Sequence, residues 1–244
     1  WAASTTTKPL TANIWNCARI AANSMKVGSV WNPGNVVGPM ITNGNDKLLK
    51  ALELEQGESW LVPPQFLDKN KYVLAPTVKW GVRPGSYSFR TELFGPMLSV
   101  VCIENLQQGI ELVNSLDYGL TSGLQSLDEE EQRLWKNSIM AGNLYINRGI
   151  TGAIVNRQPF GGMKLSAFGG GVKAGGPNYC ACFVKISDKP GSTTDYKQSY
   201  PKAYEQEFAH ARDINNLYGE QNVFRYLPLR NMVLRLFPGD TNED

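Results

Sequence analysis

The chain switches between apolar stripes at helical spacing and short apolar runs, and the switch organises it. Ile14, Ala18, Ala21, Ala22 and Met25 fall on one helical face over residues 12–26, with Thr11 standing where a helix cap belongs. An amphipathic helix is expected there. Residues 28–38, with Pro33, Gly34 and then Pro39, predict a turn-rich loop, and a second helical pattern runs over 46–55.

From Met97 the rhythm becomes regular. MLSVVCI reads as a strand, residues 105–116 as a helix, 120–124 as a short strand, then another helix and the strand NLYIN. Ser126 precedes Glu129 by three residues, the spacing of a capping box, and Gly142 is the expected left-handed terminator of that helix. Strand, helix, strand, helix, strand predicts a parallel sheet covered by helices, an α/β fold.

Glycines crowd residues 149–178 without a repeat, which predicts a long loop region with tight turns. Ordered loops after strand ends are where α/β proteins keep their sites. Alternation returns over 179–186 and puts Cys180 and Cys182 on one side of a strand. KPGSTT marks 187–200 as a linker. Residues 201–244 carry a helical pattern through Phe208 and Leu217, then an apolar run, MVLRLF, of strand character. That extension is too small to fold alone.

Composition narrows the chemistry. With 42% hydrophobic and 19% charged residues among 244, the chain is an ordinary globular mixture of one domain plus an extension. Its 24 basic and 22 acidic residues are scattered, so nucleic acid and anionic membranes are set aside as partners. No apolar run reaches the roughly 18 residues of a spanning helix, and no signal peptide opens the chain. A cytoplasmic protein is expected, or a mitochondrial-matrix one in a eukaryote. Cys17, Cys102, Cys180 and Cys182 do not form a disulfide framework and read as reduced thiols, Cys17 as a partly buried one within its helix. The lone histidine, His210, reads as a surface helix residue. Neither a metal site nor a histidine relay is expected.

Four segments then stand in a telling order: Thr91-Glu-Leu-Phe-Gly-Pro-Met-Leu-Ser-Val100, Asp117-Tyr-Gly-Leu-Thr-Ser-Gly123, Ala141-Gly-Asn-Leu-Tyr-Ile-Asn147 and Pro159-Phe-Gly-Gly162. Together they resemble the C-terminal half of the aldehyde dehydrogenase superfamily over roughly residues 26–186. Asn147-Arg-Gly-Ile-Thr-Gly-Ala-Ile-Val155, Arg157-Gln-Pro-Phe-Gly-Gly162 and Lys173-Ala-Gly-Gly-Pro-Asn-Tyr179 resemble one branch in particular. That branch is the L-glutamate gamma-semialdehyde, or 1-pyrroline-5-carboxylate, dehydrogenases, including the form within bacterial proline utilization A. Gly219-Glu-Gln-Asn-Val-Phe-Arg-Tyr-Leu-Pro228 is similar to the C-terminal region of the longer members.

The resemblance implies the C-terminal part of that fold, with helices on both faces of a parallel sheet and a flap strand at 180–186 that reaches a neighbouring subunit in a homo-oligomer. It divides the chain into catalytic domain (1–186), linker (187–200) and the start of an extension (201–244). It implies NAD-dependent oxidation of the semialdehyde to glutamate in proline catabolism, with a proline dehydrogenase as a possible fusion partner. Gly152 and Ala153 match a turn whose backbone N–H groups hold the substrate carboxylate as an anion nest. Phe160 matches an aromatic on the substrate's aliphatic stem. Glu92 matches the acceptor for ribose hydroxyls, and Phe94 the ring beside the nicotinamide.

Plainer readings stand beside these: a loop turn and a core plug, a solvated Glu and a buried Phe. Asn147 either orients the loop or caps a turn. No catalytic residue is assigned, because the family's Gly-Gln-x-Cys lies about thirty residues before the match to Lys26-Val27-Gly28, at or before Trp1, with the general base farther upstream. Trp1 therefore reads as a clipped start, and these residues alone are expected to be inactive. The alternatives are a dehydrogenase of another acidic aldehyde and a non-catalytic module of the same fold that stabilises a partner.

Overall fold

The computed structural model describes residues 2–5, 8–155, 157–168, 172–185, 187, 195–229 and 233. They fall into two compact units, residues 1–150 with 162–166, and residues 151–161 with 167–244.

The first unit is built on a four-stranded mixed sheet of order β1 (Ala2–Thr5), β4 (Met97–Ile103), β3 (Thr77–Trp80) and β2 (Ser59–Val62). β1 and β3 both run parallel to β4, and β2 is antiparallel to β3. The period of two along β4 sorts its side chains. Leu98 and Val100 pack with Val62, Val78 and Trp80 under Ala22 of α1 (Lys8–Ser24), whereas Val101 and Ile103 pack with Val82, Phe89, Leu112 and Leu116. Each fully enclosed aliphatic side chain contributes about 2 kcal/mol.

Helix α1 begins at Lys8, so Thr11 lies inside it and is not its cap. Ile14, Ala18 and Ala22 form a row four residues apart that turns inward, while Ala21 and Met25 are exposed. Helix α2 (Asp46–Ala51) stops short of the expected end, because the residues after it are committed elsewhere. The Glu53 carbonyl accepts from Lys79 Nζ (2.6 Å), and Glu55 accepts the Tyr87 N–H (3.0 Å) at the start of the one-turn helix α3 (Tyr87–Arg90).

α4 (Leu106–Asn114) joins this sheet to a second layer. Leu112 faces the β4 cluster, while Leu106, Ile110 and Val113 pack with Trp135 and Ile139 from α5 (Glu129–Ser138) and its C-cap, and with Leu124, Leu144 and Ile146. Those last three come from β6 (Thr121–Leu124) and β7 (Asn143–Ile146), a parallel pair as expected, but paired apart from β4. A short antiparallel pair joins β5 (Tyr118–Gly119) to β8 (Met163–Lys164), and Lys164 Nζ donates to the carbonyls of Asn114 and Leu116 at the end of α4 (2.7 Å each).

Both ends of α5 differ from the expected ones. Asp128, not Ser126, is the N-cap, its carboxylate accepting from the N–H groups of Glu130 and Glu131. The anionic side chain suits the helix's positive end, and Ser126 Oγ serves Asp128 N–H and Glu131 from outside. The helix ends at Ser138, not Gly142, because Ile139 turns extended to reach the core, 4% exposed, and Asn114 binds the Ser138 carbonyl and Met140 N–H. Gly142 instead leads into β7, donating to the Gly119 carbonyl.

In the second unit the loop region is tied by an antiparallel bridge between Phe160 and Ala174. The strand expected over 180–186 is not formed among its described residues, 180–185. Tyr179–Phe183 is a 3-10 turn, with Tyr179 and Ala181 N–H groups bonded to the carbonyls of Gly176 and Asn178. Local bonds satisfy these donors where no ladder partner stands among the described residues. Helix α6 (Tyr196–Ala203) runs into a π turn (Tyr204–Phe208), beside Pro201, whose missing N–H disturbs the regular ladder. Leu217 lies beyond the helical part, in a loop closed by the Arg212–Phe224 bridge. All of KPGSTT, residues 189–194, and all of MVLRLF except Val233 lie outside the described residues.

Candidate functional site

The residues singled out in the sequence occupy two places, one in each unit. In the first unit, the turn between α3 and β4 alternates in exposure. Leu93 is buried at 8% against Leu48, Ala51 and Leu74, while Glu92 and Phe94 on either side of it face solvent, Phe94 at 80%. One apolar anchor therefore presents both neighbours. The Leu93 carbonyl accepts from Asn45 Nδ2 (3.2 Å), and Asn45 Oδ1 caps α2 by accepting from Leu48 N–H (2.7 Å), so the turn is fixed to a helix start. Phe94 has φ +49, a left-handed conformation that an aromatic residue adopts at a cost of about 1–2 kcal/mol. Glu92 offers an exposed carboxylate, a hydrogen-bond acceptor, and Phe94 an uncovered ring face, an apolar platform. The expectation of a buried Phe does not hold at this position.

In the second unit, residues 151–155 are exposed, and 151–154 belong to no strand or helix. Gly152 has φ +94, and a Cβ built there meets nothing within 4 Å. Backbone conformation, not crowding within this chain, is what asks for glycine here. The N–H groups of Arg157 and Gln158 both return to the Ile154 carbonyl (3.1 and 2.7 Å), closing the loop behind the turn. Phe160 is half-buried and exchanges both backbone hydrogen bonds with Ala174 (3.0 and 2.8 Å). At Gly161 a Cβ would stand 3.1 Å from Lys173 Cγ and 3.2 Å from its Cα, so a larger residue would press on Lys173.

Sequence reasoning missed the residues that fasten this loop. Lys173 Nζ donates to the Gly161 carbonyl (2.7 Å), and burial pushes its pKa down to about 8. Arg157, half-buried, forms an ion pair with Glu220. Gln158 Nε2 donates to Asn222 Oδ1 (3.3 Å), and Asn178 Nδ2 to the Tyr226 hydroxyl (2.9 Å). Tyr226 in turn packs edge-on against Phe208 and Phe224. The Gly219–Pro228 motif carried the signal, in Glu220, Asn222 and Tyr226, which share one side of an alternating run.

The remaining candidates resolve simply. Asn147, at φ +56, bonds Ser126 twice, accepting from its N–H (2.9 Å) and donating to its carbonyl (2.8 Å), and so caps the turn before α5. Cys17 is exposed, not partly buried, because it points away from the Ile14–Ala18–Ala22 row. Cys102, Cys180 and Cys182 are exposed too, and burial of its surroundings pushes the Cys102 thiol pKa up, away from a nucleophile's. His210 lies exposed just past the π turn. No cluster of three metal-binding side chains occurs among the described residues, and none of their helices is long and apolar enough to cross a membrane.

Comparison with known proteins adds four findings. The profile described as "Aldehyde dehydrogenase family" matches residues 11–188. The 1-pyrroline-5-carboxylate dehydrogenase 2 of Bacillus subtilis (strain 168) is 35% identical over 151 residues, which are 61% of this chain and 29% of that protein. Among solved structures, proline utilization A from Corynebacterium freiburgense superposes with TM-score 0.79 at 40% identity, over 88% of this chain and 24% of that one. A 1-pyrroline-5-carboxylate dehydrogenase from Thermus with bound NAD superposes with TM-score 0.64 at 31% identity, over 76% and 36%. The chain thus spans about a third or less of the proteins it matches.

Proposed function

Because this chain belongs to the aldehyde dehydrogenase family, we propose that it supplies the carboxylate anchor and part of the cofactor end of an NAD-dependent dehydrogenase that oxidises L-glutamate gamma-semialdehyde to L-glutamate. The observation that carries this reading is the anchor turn, an exposed Gly152 at φ +94 followed by an exposed Ala153, held outside any strand or helix. Such a turn can aim successive N–H groups at an anion without a side chain. The names of the relatives support the choice of substrate.

In this reading the substrate's alpha-carboxylate sits on the 152–153 amides, and the half-buried Phe160 ring packs on its methylene stem. Holding the far end fixes the aldehyde carbon for attack, which converts binding energy into orientation. Glu92 accepts hydrogen bonds from ribose hydroxyls, and Phe94 sets the plane of the ring lying on it. NAD, when bound, supplies the hydride acceptor. The nucleophilic thiol and the general base belong to other residues of the dehydrogenase, and a proline dehydrogenase on the same polypeptide would supply the substrate's precursor. Assembly through residues 180–186 would require the 3-10 turn to open into an extended strand.

The test is NADH production by the protein expressed from its complete gene, with L-glutamate gamma-semialdehyde and with propanal, which has no carboxylate. A clear preference for the first is expected. Equal kcat/KM on the two discards the anchor.

A further inference from the structure

We infer that the Gly219–Pro228 segment is a clamp that positions the anchor loop, with Glu220 as its principal positioning residue. This rests on the proposed role of residues 152 and 153. Three contacts, two and then four residues apart along the segment, reach back to the loop region: Glu220 to Arg157, Asn222 to Gln158, and Tyr226 to Asn178. Between the last two, Phe224 exchanges both backbone bonds with Arg212 (2.9 and 2.8 Å), which holds the segment extended so that alternate side chains face one way.

The clamp is itself braced. Asp213 accepts from the N–H groups of Asn216 and Asn222 (3.0 Å each), and these bonds hold its carboxyl below the usual carboxylate range. Arg212 pairs with Glu207 (2.8 Å) and donates to the Gln206 carbonyl (3.0 Å), tying the loop to the π turn. At the seam, Arg157 Nε and Asn222 Nδ2 are enclosed with no acceptor among the described residues. Orphan donors are costly, so neighbouring contacts must hold the seam in this register.

The loop needs such a hold. Residues 151–154 have no ladder or helix of their own, and Arg157 lies four residues beyond Ala153, bonded through its N–H to Ile154. Fixing the guanidinium therefore fixes the turn that would present the two amides. A shift of about 1 Å in such a turn is enough to lose much of the orientation it provides.

The experiment uses the protein expressed from its complete gene and reads KM and kcat for L-glutamate gamma-semialdehyde and for propanal, which has no carboxylate. Glu220→Ala should raise KM for the semialdehyde roughly tenfold, since a charge-assisted contact is lost, and leave the constants for propanal within about twofold. The charge swap Arg157→Glu with Glu220→Arg should recover most of the loss. An unchanged KM for the semialdehyde, or a parallel loss on both aldehydes, overturns the clamp. If the unmodified protein does not prefer the semialdehyde, the proposed function fails first, and hydrogen exchange of residues 151–161 decides the clamp alone. Faster exchange in Glu220→Ala upholds it, and unchanged protection removes it.

Discussion

Lys79 Nζ lies 3.0 Å from Glu58 Oε2, and both side chains are enclosed, at 0% and 1% exposure. The ammonium also donates to the Glu53 carbonyl (2.6 Å) and Ser88 Oγ (3.1 Å) and sits 5.2 Å from the Trp60 ring centroid. A charge at the middle of β3 is thus fully solvated by protein, and the loop after α2 is organised around it. Removing one partner leaves the other buried and unpaired. Lys79→Met should cost about 3–5 kcal/mol in urea unfolding, and Lys79→Met with Glu58→Leu should recover a good part of it. A cost no greater than that of a surface substitution would mean that water reaches the pair.

Phe94 pairs a left-handed backbone with an uncovered ring. Phe94→Gly should stabilise the first unit by about 1 kcal/mol and lower the rate of NADH formation, since the strain is relieved and the platform is lost together. Thermal unfolding and kcat, measured on the same preparation, check both halves. A faster variant would end the assignment.

At Gly152 the space is open but the conformation is not. Gly152→Ala should destabilise by about 1–2 kcal/mol through φ alone, and the anchor should respond more sharply, with KM for the semialdehyde rising while KM for propanal stays. A Michaelis analysis with both aldehydes separates the two effects.

Lys173 gives a pH dependence of definite sign. Its pKa falls from 10.5 to about 8 on folding, because burial disfavours the charged form. Between those values the unfolded chain binds the extra proton, so stability rises with pH. The penalty is fully present below about pH 8 and is relieved as pH approaches 10.5. Urea unfolding at pH 7 and pH 10 should show this gain, and Lys173→Met should reduce it. An equal gain in both proteins would assign it to other groups.

Much of the scaffold could be read from periodicity, and the errors have definite causes. β4, α4, the β6–β7 pair and the loop character of 149–178 follow from apolar spacing and glycine content, because burial of those stripes is what stabilises them. Helix ends were less legible. Ser126 and Asp128 both suit a cap, and the choice fell to the carboxylate, while Ile139 left its helix to join a core whose shape no local pattern encodes. Residues 180–186 alternate like a strand, yet alternation cannot supply a partner to pair with. At the candidate site, motif order marked Glu92, Phe94, Gly152, Ala153 and Phe160, but the contacts that fasten their surroundings, Arg157 to Glu220 and Lys173 to Gly161, join positions far apart in the chain or hidden in glycine-rich loop, where no period points.

The register that sets Ala2 beside Val100 has a bearing on synthesis. At ribosomal speeds the strand AAST waits about 5–20 s before its partner is translated, whereas β2 and β3, close together in the chain, can meet far sooner. A strand that must wait unpaired is a hazard if it is long, flat and greasy. Four small residues, two of them hydroxylated, can wait without recruiting a neighbouring nascent chain, so the brevity of β1 suits its late pairing.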